Sequence, residues 1–189
     1  MGVKELLELI NQDVKVGMIS HKCYWNQLWS QYISEHEEEF KGLEVKDALP
    51  KLISDVNFRE RKNYASCQEL GVDIRVGDIC YIDFGEAYIC EIGFQHFGLI
   101  LTLFHNKAFV VPMSGNYVAF HQAYGKKNPK GKKHLMRLGK IKGMNKQSVL
   151  FLNDAKWINT ARIIDVKSHL DRNSTLFLEI KERVKDCLD

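Results

Sequence analysis

Within the stretch IGFQHFGLILTLFHNKAFVVPMSGN (92–116), His96 precedes one apolar run, and a Ser-Gly-Asn tripeptide beginning at Ser114 follows a second. Two short buried strands joined by a tight turn at His105-Asn106 account for the apolar residues. An antiparallel hairpin returns its two outer ends to one place, so His96 and Ser114 are expected there together. An imidazole titrates near neutral pH, and a hydroxyl both donates and accepts. The pair therefore suits proton transfer on a bound substrate. The structural alternative is a turn histidine bonded to backbone, beside a serine that caps a turn with Gly115 and Asn116.

A second group of candidates follows directly. Tyr117, Phe120, His121 and Tyr124 lead into residues 126–146, which hold nine Lys/Arg and no acid. Cations at this density repel one another unless an anion lies close. Aromatic rings among cations are the means by which single-stranded RNA binders stack bases and hold phosphates. The same run also reads as a solvated, lysine-rich loop. Metal chemistry has no such support. Five cysteines form no CxxC pair, and seven histidines show no ligand spacing. No metal or cofactor is expected, and the cysteines read as reduced, mostly core or half-buried thiols.

These residues need a scaffold. Short apolar runs bounded by Gly, Asn and Asp predict strands near 78–84, 98–104, 108–113, 133–138 and 148–152. A helix is expected over 173–188, with Leu176, Ile180, Val184 and Leu188 as its stripe behind a cap at Asn173 or Ser174. The first 65 or so residues read instead as three amphipathic helices. The first carries Val3, Leu6, Leu7, Ile10 and Val14 on one face. The second carries Tyr24, Leu28, Tyr32 and Ile33 behind a cap at Ser20. The third carries Leu49, Leu52, Ile53 and Val56, with Pro50 expected near its first turn. All three stripes are expected to be core.

The domain division is expected at 70/71, with a helical extension over 1–70 and a strand-rich domain over 71–189. Net charge of +3 hides a segregation: 1–70 balances to −3 and 71–189 to +6. An anionic partner is therefore expected for the second part. Hydrophobic content of 45% with 27% charged residues suits a soluble globular chain. No apolar run reaches membrane-spanning length, and acids occupy the place of a signal peptide's basic region, so a cytoplasmic location is expected.

From residue 74 onward the landmarks resemble the MazF/PemK family of toxins, RNA-cleaving members of toxin–antitoxin pairs. RVGDICYIDFG resembles the family's opening strand. GLILT and AFVVPMS resemble its next two strands, and KQSVLFLNDAKWINTARIIDVKSHL resembles a later Ser-Val and Ile-x-x-x-Arg block. With the final helix, which sits where the family has its own, five weak motifs in the right order cover about 115 residues. The resemblance implies an α+β fold: a small SH3-like barrel with a C-terminal helix, here preceded by helices. It implies a homodimer and metal-independent cleavage of single-stranded RNA by its own 2′-OH, leaving 2′,3′-cyclic phosphate and 5′-OH ends.

In the family an Arg-Pro pair before the second strand and a Thr or Ser ending the third carry the reaction. His96-Phe97 stands on the first and Ser114 on the second, so His96 and Ser114 are the expected catalytic residues. RNA contacts are expected from Lys107, Asn116, Tyr117, His121, Lys126, Lys127, Lys130, Lys132 and Lys133. Histidine in place of arginine leaves two outcomes open: a better acid–base catalyst, or a barrel that binds RNA or protein without cutting. A cognate antitoxin is implied as partner, a protein in preference to the RNA antitoxins of ToxN/AbiQ-type relatives. The acidic helices either embellish the fold or, extending the dimer interface or covering the RNA groove, act on it.

Overall fold

A computed structural model describes residues 2–12, 17–125 and 128–187, with the backbone alone at 9–12. Val14 and Leu188, expected in two of the stripes, lie outside them. The chain divides into two compact units, Met1–Leu49 and Pro50–Asp189.

The helices expected at the N-terminus are α1 (Val3–Gln12), α2 (Trp25–Lys41) and α3 (Val45–Arg61). Ser20 is not the cap of α2. It lies in a 3-10 turn (Ile19–His21), and the helix begins only at Trp25 behind Tyr24, which makes no side-chain cap bond. Pro50 is the sixth residue of α3, beyond the first turn. The stripes are not core. Leu6, Leu7, Tyr32, Ile33, Leu49, Leu52, Ile53 and Val56 are all exposed, and α2 buries no residue. Periodicity reports amphipathic character, whereas burial needs a partner surface. On α2 an aromatic ladder forms instead, with Trp25, Trp29, Tyr32 and His36 stacked at centroid distances of 5.2, 5.7 and 5.7 Å.

The second unit is an α+β structure around one mixed sheet. Its strands are β1 (Asp78–Asp83), β2 (Gln95–Phe104), β3 (Lys107–Ser114), β4 (Ala123–Tyr124), β5 (Lys132–Gly139), β6 (Ser148–Phe151), β7 (Lys156–Asn159) and β8 (Ile163–His169). The hydrogen-bonded order is β4-β5-β6-β3-β2-β1-β8, an open path ending at β4 and β8, with β7 paired to β3. All pairs are antiparallel except β4 with β5. The five expected strands are present within a few residues. β4, β7 and β8 were not expected, because strands this short or this polar are specified by their partners more than by their own pattern.

β2 and β3 form a hairpin through His105-Asn106, and His105 takes a positive φ of 50°, as a two-residue turn requires. The far edge of β3 changes partner along its length. Val110 pairs with Lys156 of β7, and Met113 pairs with Leu150 of β6. Pro112, which has no N–H to offer a ladder, lies in the gap between them.

Strand alternation gives the sheet two apolar faces. On one, Ile79, Leu99, Val111, Met113, Met136 and Leu150 are covered by Phe177, Ile180 and Val184 of α5 (Thr175–Lys185). Each of those helix side chains contributes about 1.5–3 kcal/mol by burial. Ser174 caps α5 by accepting from the Phe177 N–H at 3.2 Å. On the other face Cys80, Ile82, Ile100, Val110, Ile158 and Ile163 pack with Cys67. Among the described residues no helix is long and apolar enough to cross a membrane.

Candidate functional site

Register brings the two expected catalytic residues together. Phe97 pairs with Met113, so one further step sets His96 opposite Ser114 at the open end of the hairpin. His96 itself pairs with Ile82 on β1, Ser114 with Val149 on β6, and Val149 with Arg137 on β5. Ile82, His96, Ser114, Val149 and Arg137 thus form one transverse row across five strands. Directly opposed residues share a sheet face and hold their Cβ atoms about 5 Å apart. Ile82 and Val149 are fully buried, whereas His96, Ser114 and Arg137 are half-buried. The row therefore carries polar groups at the boundary of the core.

β2 begins at Gln95, so His96 lies inside the strand and not before it. Its Nδ1 stands 2.8 Å from the Gly93 carbonyl. A carbonyl oxygen only accepts, so Nδ1 carries the proton and donates. In the neutral ring the Nε2 lone pair is then the open one. Ser114 Oγ accepts from the Asn116 N–H at 3.2 Å and keeps its own proton to give. The pair can accept a proton at one atom and donate one at another.

Asn116 also caps the short helix α4 (Tyr117–Gln122), accepting from the Ala119 N–H at 3.0 Å. The helix presents Tyr117, 74% exposed, against His121 with ring centroids 3.9 Å apart and ring planes tilted by 36°. His121 Nδ1 donates to the Tyr117 carbonyl at 2.8 Å, again leaving Nε2 open in the neutral ring. Arg137 fastens the other end of α4. Its Nε donates to the Phe120 carbonyl at 2.8 Å and its Nη2 to the His121 carbonyl at 3.2 Å, with the guanidinium 5.0 Å from the Phe120 ring centre. Cations favour a helix C-terminus for this reason.

The remaining expected contacts are spread out. Lys132 and Lys133 are exposed at the start of β5, and Lys130 is exposed in the turn before it. Lys107 begins β3, seven residues from Ser114, or about 23 Å along the strand. Lys126 and Lys127 lie outside the described residues.

Two cations near the row were not singled out by the sequence. Arg137 shares it, and Lys146 lies alongside Gly115, where an added Cβ would meet the lysine Cδ at 3.2 Å. Alternation in KKHLMRLG puts Lys133, Leu135 and Arg137 on one face. Only the pairing through Val149 links that face to Ser114. Among the described residues no group of three or more His, Cys, Asp or Glu could hold a metal ion.

No family model matches this chain, and no curated protein matches it by sequence. By structure it is similar to the toxin MazF-mt6 of Mycobacterium tuberculosis, at 14% identity, covering 59% of this chain and 96% of that one with a TM-score of 0.40. It is also similar to an endoribonuclease in complex with its cognate antitoxin from a mycobacterial species, at 8% identity, covering 61% and 95% with a TM-score of 0.42.

Proposed function

We propose that the chain is the toxin of a toxin–antitoxin pair, an endoribonuclease acting on single-stranded RNA. In this reading residues 71–189 are the working domain, their sheet curled as an SH3-like barrel that pairs with a second copy. His96 Nε2 accepts the proton of the RNA 2′-OH, the 2′-oxygen attacks the adjacent phosphorus, and the 5′-oxygen leaves with a proton taken from solvent water. The products are a 2′,3′-cyclic phosphate and a 5′-OH. Ser114 Oγ donates to a phosphate oxygen as charge gathers there. Tyr117 and His121 offer stacking faces, and Lys132 and Lys133 offer charge to the backbone. A protein antitoxin masks this end of the hairpin, and the cell compartment is the cytoplasm.

The observation that carries the reading is the β2–β3 register, whose last pair, Phe97 with Met113, leaves His96 and Ser114 as the next residues on the two strands, with the His96 Nδ1 already committed to Gly93. One observation favours a second reading, a barrel that binds RNA without cutting it. The arginine of the row, Arg137, turns the Nε–Nη2 edge of its fork to two backbone carbonyls, so that edge is not open to grip a phosphate.

Incubation with long single-stranded RNA in EDTA, followed by mapping of the ends, separates the two. Site-selective cuts with cyclic-phosphate ends, lost in both His96→Ala and Ser114→Ala, are expected. Salt-sensitive binding without cuts would establish the binding module instead.

A further inference from the structure

A cavity of about 450 Å³ lies in the second unit between the last two turns of α3, the end of β1 and the 159–162 turn. Its size is within the range of small-ligand sites. It is remote in composition from the hairpin site, because none of His96, Ser114, Tyr117 or His121 lines it. Three carboxylates and three cations face it, but they are not equally engaged. The buried Asp83 carboxylate accepts from Ser54, Asn57, Gln95 and the Gly85 N–H. Glu86 is paired with Lys51 at 2.9 Å. Of the acids, only Asp55 keeps its carboxylate unpaired among the described residues.

The cations are held so that donors remain. Arg61 spends Nη1 on the carbonyls of Ala161 and Ile163, at 3.2 and 2.8 Å. Arg162 spends Nη1 on the Asp83 carbonyl at 3.3 Å. Their Nε and Nη2 groups, and the Lys62 ammonium, have no partner among the described residues. Two guanidiniums anchored through one nitrogen each, with their remaining donors unspent, form a preorganised receptor for a phosphate.

The rest of the lining calls for more than phosphate. Tyr64 is 41% exposed at the rim and offers a ring to stack on. The amide of Asn57 is oriented by its Nδ2 donation to Asp83, which leaves its Oδ1 as an unused acceptor. The amide of Asn159 is oriented the other way. Its Oδ1 accepts from Ala161 N–H at 2.8 Å, which leaves Nδ2 as an unused donor. One acceptor and one donor beside an aromatic ring match the edge and face of a nucleobase. From this we infer that the cavity binds a mononucleotide, its phosphate on Arg61, Arg162 and Lys62 and its base against Tyr64, Asn57 and Asn159. The inference does not depend on RNA cleavage at the hairpin.

Isothermal titration of the full chain with AMP, GMP, CMP and UMP in turn tests it, with adenosine and inorganic phosphate as partial ligands. At least one nucleotide is expected to bind saturably, about tenfold or more tighter than either partial ligand. Tyr64→Ala and Lys62→Ala, both at exposed positions, are each expected to weaken it about tenfold with an unchanged melting temperature. Ser114→Ala is expected to leave nucleotide affinity as it was.

Absence of saturable binding by all four at about 5 mM would overturn the inference. So would inorganic phosphate binding as tightly as the nucleotide, or full affinity in both rim variants. Loss of affinity in Ser114→Ala with retention in Tyr64→Ala would move the nucleotide to the hairpin and overturn it equally.

Discussion

Arg137 in the middle of β5 reaches the backbone carbonyl of His121, at 3.2 Å, and thereby ties the end of α4 to the same row that holds His96 and Ser114. The tie is a fork: Nε and Nη2 serve consecutive carbonyls, and the guanidinium plane lies by Phe120. Lysine keeps the charge but has neither the fork nor the flat face. Arg137→Lys is therefore expected to cost about 1–2 kcal/mol of stability. It should also lower affinity for a single-stranded oligoribonucleotide about tenfold, because Tyr117 and His121 lose their fixed presentation. Fluorescence anisotropy alongside thermal melting reads both; wild-type affinity in the variant would remove α4 from the binding surface.

His96 is expected to act through a lone pair, which a small base in solution can replace. His96→Ala should lower cleavage about 10²–10⁴-fold. Added imidazole should restore part of that rate in His96→Ala and none of it in Ser114→Ala. Rescue distinguishes a proton acceptor from a residue that merely holds the strand end together. A variant that cuts at the wild-type rate would end the assignment.

The hairpin was legible in the sequence because two apolar runs, a two-residue turn and period-two alternation all agree on one register. Once that register is known, His96 opposite Ser114 follows from counting. Arg137 was hidden for the opposite reason. It joins the row through β6, which reaches β3 only at Met113 and Ser114, and no local pattern encodes so short a contact. The stripes of α1, α2 and α3 were legible as periodic and misread as buried, since spacing names a face but not what covers it. The Asp83 cluster is likewise non-local: Ser54 and Asn57 lie 29 and 26 residues away in the chain.

That cluster fastens the second half of α3 to the end of β1. Asp83 is 2% exposed and accepts from Ser54 Oγ at 2.9 Å, Asn57 Nδ2 at 2.9 Å, Gln95 Nε2 at 3.2 Å and the Gly85 N–H at 3.2 Å. Alanine at this position strands four donors together. Asp83→Ala should cost about 3 kcal/mol, read as a lowered midpoint in urea unfolding with m unchanged. An unaltered midpoint would mean that water reaches these donors freely.

Charge on β5 predicts a salt effect. Lys132 and Lys133 are exposed and adjacent, and each phosphate neutralised on a single strand contributes about 0.7 to the slope of log K against log salt. The Lys132→Ala/Lys133→Ala double variant should flatten the slope for oligoribonucleotide binding by about 1.4. A uniform loss of affinity at unchanged slope would assign these lysines to folding and not to phosphate.

Cys80 is fully buried, and burial pushes its thiol from an ordinary value near 9 up to about 12, with Asp78 adding to the shift. Cys67, also buried, is raised by the same cause, while Cys23, Cys90 and Cys187 are exposed. In the unfolded chain Cys80 ionises near its ordinary value, so above that pH the unfolded state binds fewer protons than the folded one. Stability therefore falls as pH rises through the window from about 9 to 12, by about 1.4 kcal/mol per pH unit for this one thiol. Cys80→Ala removes that contribution and should shallow the alkaline loss of stability in a pH series of urea unfolding curves. At pH 8, where thiolates do the reacting, iodoacetamide should label Cys23, Cys90 and Cys187 in the native protein and reach Cys67 and Cys80 only in denaturant. Rapid native labelling at Cys80 would contradict the packing of that face of the sheet.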